Sequence, residues 1–132
     1  MKKFFIPLLG FLLVSVLVGS CDKDEDPTPN IYGSWTVLQM DNNGLQYNVE
    51  LKINTDNSYD WMLLEDVPGH SNSHAEFNLS GSIMSLHTDA DCSSIGEYFI
   101  TVESGKLSLI ARSEECGPRA SALEWVWSKM NK

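Results

Sequence analysis

Tyr47-Asn48-Val49-Glu50-Leu51-Lys52-Ile53-Asn54 alternates apolar and polar residues without a break. Successive side chains of a strand point to opposite faces, so Tyr47, Val49, Leu51 and Ile53 share one face and Asn48, Glu50 and Lys52 the other. A helix would scatter the same apolar residues around its axis. Asn54-Thr55-Asp56-Asn57 then supplies turn chemistry, and Tyr59, Trp61 and Leu63 resume the alternation against Asp60, Met62 and Leu64. The two runs predict an antiparallel hairpin with one buried face.

The same grammar extends in both directions. Upstream, Ile31–Met40 carries Trp35 and Val37 on one side, and Asp41-Asn42-Asn43-Gly44 turns the chain. Downstream, a looser loop at Val67–Ser73 contains Pro68-Gly69 and precedes a short strand through Ala75, Phe77 and Leu79. Ser80-Gly81-Ser82 leads to Ile83–His87; then come Tyr98, Ile100 and Val102, a Ser104-Gly105 turn, and Leu107, Leu109 and Ala111. After Cys116-Gly117-Pro118, a short helical piece around Arg119–Leu123 leads into a last strand within Glu124–Met130. Such a meander closes into a barrel or folds as two packed sheets. Closure is the expectation here, because it removes the edges that a meander would expose. The predicted fold is all-β, an eight-stranded antiparallel up-and-down barrel. Its interior has room for side chains or one small ligand.

The chain has 132 residues, 42% of them apolar and 20% charged, enough for one modest domain and too little for a second. Its net charge is −9, and Lys2 and Lys3 fall in the first twenty residues, so the remainder is more acidic still. A surface of that sign has no footprint for nucleic acid, nor for an anionic lipid surface approached through charge.

Lys2-Lys3 and the apolar run Phe4–Val18 read as the n- and h-regions of a secretory signal over residues 1–20. The run is shorter than a spanning helix requires, and acids follow it rather than a basic stop-transfer flank. Leu17-Val18-Gly19-Ser20-Cys21 resembles the lipobox of bacterial lipoproteins, in which small residues precede a cysteine that is lipidated and becomes the mature N-terminus. The resemblance implies acyl chains of the palmitate kind on Cys21 and a lipid-anchored membrane location. More than one chain makes such attachment durable. Residues 21–30 include Asp22-Lys23-Asp24-Glu25-Asp26-Pro27-Thr28-Pro29, an acidic, proline-stiffened tether ahead of the domain at 31–132. Acidic runs in this position resemble the surface-export signals of some Gram-negative lipoproteins. They imply the outer membrane, with the cell surface favoured over the periplasmic face.

With Cys21 acylated, Cys92 and Cys116 remain. An exported chain meets an oxidising compartment, so this even pair predicts one disulfide.

Tyr32-Gly33-Ser34-Trp35-Thr36-Val37 resembles the Gly-x-Trp signature of the lipocalins. The stretch from Ile31 to Met130 is similar to the lipocalin-like domains of small bacterial lipoproteins, with their late cysteine-glycine-x-arginine turn and tryptophan-bearing final strand, here Trp125-Val126-Trp127-Ser128-Lys129. The resemblance implies that Trp35 plugs one end of the barrel under an arginine held over its ring. Arg112 and Arg119 are the two arginines of the chain, and Arg119 is the expected partner. The domain is shorter than most lipocalins and has no long helix beside the barrel.

Candidate chemistry is sparse. His70 and His74, with Glu76 nearby, fall in or beside a Pro68-Gly69 loop, where a solvated reading outweighs a metal site. His87, Asp89 and Asp91 read as an acidic strand end. Asp56–Asp60 lacks the central glycine and closing glutamate of a calcium loop. No nucleophile elbow or phosphate-binding loop is present, so neither an enzyme, a cofactor nor a metal is expected.

Binding remains. Tyr47, Tyr59, Trp61, Phe77, Tyr98 and Trp127 fall on the inner face and are the expected ligand-binding rings, with Trp35 and Arg119 closing the barrel. The expected ligand is small and apolar or amphipathic. The opposite face carries Met62, Leu64, Met84, Phe99, Ile110 and Val126. A contiguous patch of these would point instead to a protein partner, with the chain acting as a tethered interaction module of a surface complex around a filled barrel.

Overall fold

The computed structural model describes residues 28–131. The expected signal segment 1–20, the expected lipidation of Cys21 and residues 22–27 of the expected tether lie outside the described residues.

Eight strands follow in order: β1 Gly33–Met40, β2 Gln46–Ile53, β3 Ser58–Leu63, β4 Ser73–Ser80, β5 Ile83–Leu86, β6 Gly96–Glu103, β7 Lys106–Ser113 and β8 Val126–Lys129, with a helix α1 at Gly117–Leu123 before the last. Each strand pairs antiparallel with the next in sequence, and β8 closes on β1 through Trp35 opposite Lys129 and Thr36 opposite Ser128. The barrel is closed and up-and-down, as the alternation predicts.

The deciding stretch behaves as its period requires. Tyr47, Val49, Leu51 and Ile53 are buried, and Leu51 stands opposite Trp35 on one side and Trp61 on the other. The turn into β3 places Asn57 at φ 63°, a left-handed conformation that asparagine tolerates better than most residues.

The two ends of the barrel differ in construction. At one end the connections are the short turns β2–β3, β4–β5 and β6–β7. At the other end lie the longer segments 41–45, 64–72 and 87–95 and the stretch 114–125 that contains α1. Seven residues of helix cannot satisfy their own terminal carbonyls. Here side chains supply the missing donors. The indole N–H groups of Trp125, Trp61 and Trp127 donate to the carbonyls of Ser121 (2.7 Å), Ala122 (3.3 Å) and Leu123 (3.1 Å). The Gln39 amide adds a second bond to Ala122 at 2.9 Å. The helix is therefore pinned across the mouth, with Leu123 directed into the core.

Trp35, Phe77, Tyr98 and Trp127 are among the largest fully buried side chains. In the middle of the barrel, between Leu51, Met84, Tyr98 and Leu109, the packing leaves no room for a water molecule. The core is filled. Met84 corrects the sequence reading: it is buried and stands opposite Tyr98 and Leu79, not on the outer face. In Ile83-Met84-Ser85-Leu86 the face of Met84 and Leu86 is wholly apolar and turns inward, while Ile83 and Ser85 are half-buried on the other.

Candidate functional site

At the short-turn end, Trp35 is 2% exposed and its indole N–H donates to the Ile31 carbonyl at 2.8 Å. The cation over its ring is Lys129, whose Nζ lies 4.5 Å from the ring centroid and donates to the Tyr32 carbonyl at 2.8 Å. Arg119, the partner expected from the lipocalin resemblance, belongs to the opposite end. Gly33 makes the Lys129 arrangement possible. Its φ of +116° is disfavoured for other residues, and a Cβ there would stand 2.5 Å from the Lys129 Nζ.

At the helix-bearing end Arg119 is 5% exposed, although it is charged. Burial of a guanidinium is tolerable only with full pairing. Glu114 provides it, accepting from Nε at 2.7 Å and Nη2 at 2.9 Å, while the carbonyls of His87 and Ser94 accept from Nη1 and Nη2 at 3.0 and 2.7 Å. Asp89 lies farther off, at 3.9 Å from Nη1. Glu114 also accepts from the Tyr98 hydroxyl (2.6 Å) and the Cys116 N–H (2.9 Å). Burial pushes the Glu114 carboxyl up, but the bonds from Arg119, Tyr98 and Cys116 outweigh it and hold the carboxyl below its ordinary value. The Tyr98 phenol is pushed far up, first by burial and then by its bond to Glu114. A side chain at Gly96 would collide with the Glu114 carboxylate, so the pair needs that position bare.

The predicted disulfide is present. Cys92 and Cys116 join the 87–95 segment to the start of α1, with their Cα atoms 5.7 Å apart. Bridge and ion pair together fix the wall of a half-enclosed cleft of about 560 Å³ at the barrel mouth. Tyr47, Tyr59 and Trp61 line it from below, Asp41, His70, Asp89 and Asp91 from the loops, and Arg119 and Ala122 from α1. Tyr47 meets Trp61 edge-on, at 6.5 Å between centroids and 75° between planes, and the His70 ring lies 4.8 Å from Tyr47. The Tyr47 and Tyr59 hydroxyls make no hydrogen bond to the described residues. Burial, with the Asp89 charge adding to it, raises the Tyr59 phenol to about 12, so it remains a donor at neutral pH. A wider depression of about 740 Å³ runs along Leu63–Asn72, but it is open and no Phe, Tyr or Trp lines it.

Of the six expected ligand-binding rings, the structure brings Tyr47, Tyr59 and Trp61 together at the mouth. All six are buried in the core: Tyr47, Tyr59 and Trp61, at 6%, 3% and 6% exposure, also line the cleft, whereas Phe77, Tyr98 and Trp127, at 1%, 0% and 0%, do not. Sequence reasoning passes over Gln39, Glu114 and Lys129. Gln39 does share the inward parity of Trp35 and Val37 on β1, a signal that could have found it. The histidines weighed as metal ligands face different partners: His70 pairs with Asp41, His74 with Asp60 at 2.6 Å, and His87 lies 3.7 Å from Glu76.

No protein-family model matches this chain, and neither a curated protein nor a solved structure shows significant similarity to it.

Proposed function

We propose that the chain is a lipid-anchored, lipocalin-like barrel that takes a small apolar or amphipathic ligand into the cleft at its helix-bearing end. The anchor is Cys21, and the location is the outer membrane, facing the cell surface. The cleft is the observation that carries the reading. Its volume falls within the range of small-molecule sites, and it combines three aromatic side chains with two phenol hydroxyls that have no hydrogen-bond partner among the described residues. Burial of the ligand's apolar part against the rings would supply affinity, and the hydroxyls would orient its polar part. The mechanism is sequestration at the mouth, above a filled core. Titration of the protein with fatty acids, retinoids and haems, followed by tryptophan fluorescence, tests it. Saturable quenching that weakens in Trp61→Phe supports the reading, and a flat response to every compound opposes it.

The interaction-module reading rests on a different observation. Phe99 and Ile110 are paired on β6 and β7 and stand 44% and 56% exposed, while Val126 on β8 and Leu38 on β1 are also exposed. Four adjacent strands thus present apolar side chains to water, which favours a protein partner on the outer wall. Cross-linking at intact cells that yields an adduct in the native chain, and none in Ile110→Glu, would favour this second reading.

A further inference from the structure

The sign of charge around the cleft restricts what enters it. Asp41, Asp89 and Asp91 belong to the lining, and Arg119 is the one cation among the lining residues. That cation is already neutralised: its side chain is 3% exposed, Glu114 binds it with both carboxylate oxygens, Asp89 lies 3.9 Å from Nη1, and two backbone carbonyls take further N–H groups. It has little left to offer an anionic ligand. Asp41 is held below its ordinary value, first by the Leu45 N–H and further by the Asn43 N–H and His70, so it carries its charge at neutral pH. His70, the remaining titratable group on the rim, leans on Tyr47 and bonds to Asp41.

The rings of Tyr47 and Trp61, set edge-on at 75°, line the same cleft as these carboxylates, together with the Tyr59 ring and with His70 4.8 Å from Tyr47. Aromatic walls set at an angle beside negative charge form the arrangement that recognises ammonium groups, because each ring face attracts a cation and an apolar body packs against the same faces. Among the described residues no three His, Cys, Asp or Glu side chains gather closely enough to ligate a metal. The acids therefore act as a field and not as a coordination shell.

We infer that the cleft selects an organic cation, an ammonium group carried on an apolar body, over neutral and anionic amphiphiles of the same size. The inference rests on the small-ligand reading above and narrows it to one ligand class.

Three probes of matched length separate the two claims: octyltrimethylammonium, octanol and octanoate, titrated into the full chain by calorimetry with the Trp61 indole N–H resonance as a site reporter. Octyltrimethylammonium should bind about tenfold or more tighter than octanol, with octanoate weakest. The cation's advantage should shrink as salt is raised, while octanol binding stays constant. Asp41→Asn/Asp91→Asn, which keeps both side-chain shapes, should remove most of the advantage. The ratio and its salt dependence in the unaltered protein stand even if that variant misfolds. Octanol and octanoate binding as tightly as the cation would overturn the inference and leave the small-ligand reading in place. No binding by any of the three up to about 1 mM would overturn both.

Discussion

Arg119 and Glu114 form a two-pronged ion pair, at 2.7 and 2.9 Å, with side chains 3% and 1% exposed. Removing one partner strands the other in a site with little water. Glu114→Ala is therefore expected to lower stability by about 3–5 kcal/mol, a large share of the whole for a domain of this size. Glu114→Met/Arg119→Met should retain more stability than either single change, because no buried charge is left alone. Urea denaturation of Glu114→Met, Arg119→Met and the double variant tests this; a double variant weaker than both singles would contradict it.

The same pair sets an acid limit. The Glu114 carboxyl is held below its ordinary value of 4.5 in the fold. Its contribution is thus complete above the unfolded-state value and is lost as pH falls through the lower, folded one. Asp60 behaves alike: burial raises its carboxyl, but His74 and Asn54 outweigh that and lower it. The melting temperature should fall steadily below about pH 4.5. Glu114→Gln should be less stable at neutral pH and show a shallower acid slope. Equal slopes in both proteins would show that Glu114 does not carry the effect.

Lys129, not Arg119, covers Trp35. Lys129→Met keeps the aliphatic stem and removes the charge, and should cost about 0.5–1 kcal/mol for the lost contact with the ring. The near-ultraviolet circular dichroism of Trp35 should change in Lys129→Met and persist in Glu114→Met/Arg119→Met. The reverse pattern would restore the arginine seal.

Joining Cys92 to Cys116 closes 24 positions of chain, a constraint worth roughly 3 kcal/mol in the unfolded state. Cys92→Ala/Cys116→Ala should lose about that much in urea denaturation. Because Cys92 also lines the cleft, the variant should bind the probes more weakly even where it remains folded.

The strands were legible because an alternation such as Tyr47 to Ile53 is dictated by a single buried face, and the order of eight followed from turn residues at regular intervals. The pairing of Cys92 with Cys116 was a matter of counting. What the sequence withheld depends on side chains meeting across the closed barrel. Glu114 is one of many acids, and nothing local marks it as the one that Arg119 folds back upon from the next turn. Lys129 looks like an ordinary solvated end of a strand until β8 closes on β1. The division of six inward rings into three that only fill the core and three that also line a mouth depends on how far α1 reaches over the barrel. That reach is fixed by indole bonds to carbonyls, which no periodicity records.

Native mass spectrometry of the full chain, purified gently from the producing cell, bears most directly on the proposed role. A bound small molecule should appear as a discrete, dissociable added mass on the protein, and Trp61→Ala should lose it while remaining folded. A chain with no dissociable added mass, in every preparation and with no difference between the native protein and Trp61→Ala, would contradict ligand capture at the mouth.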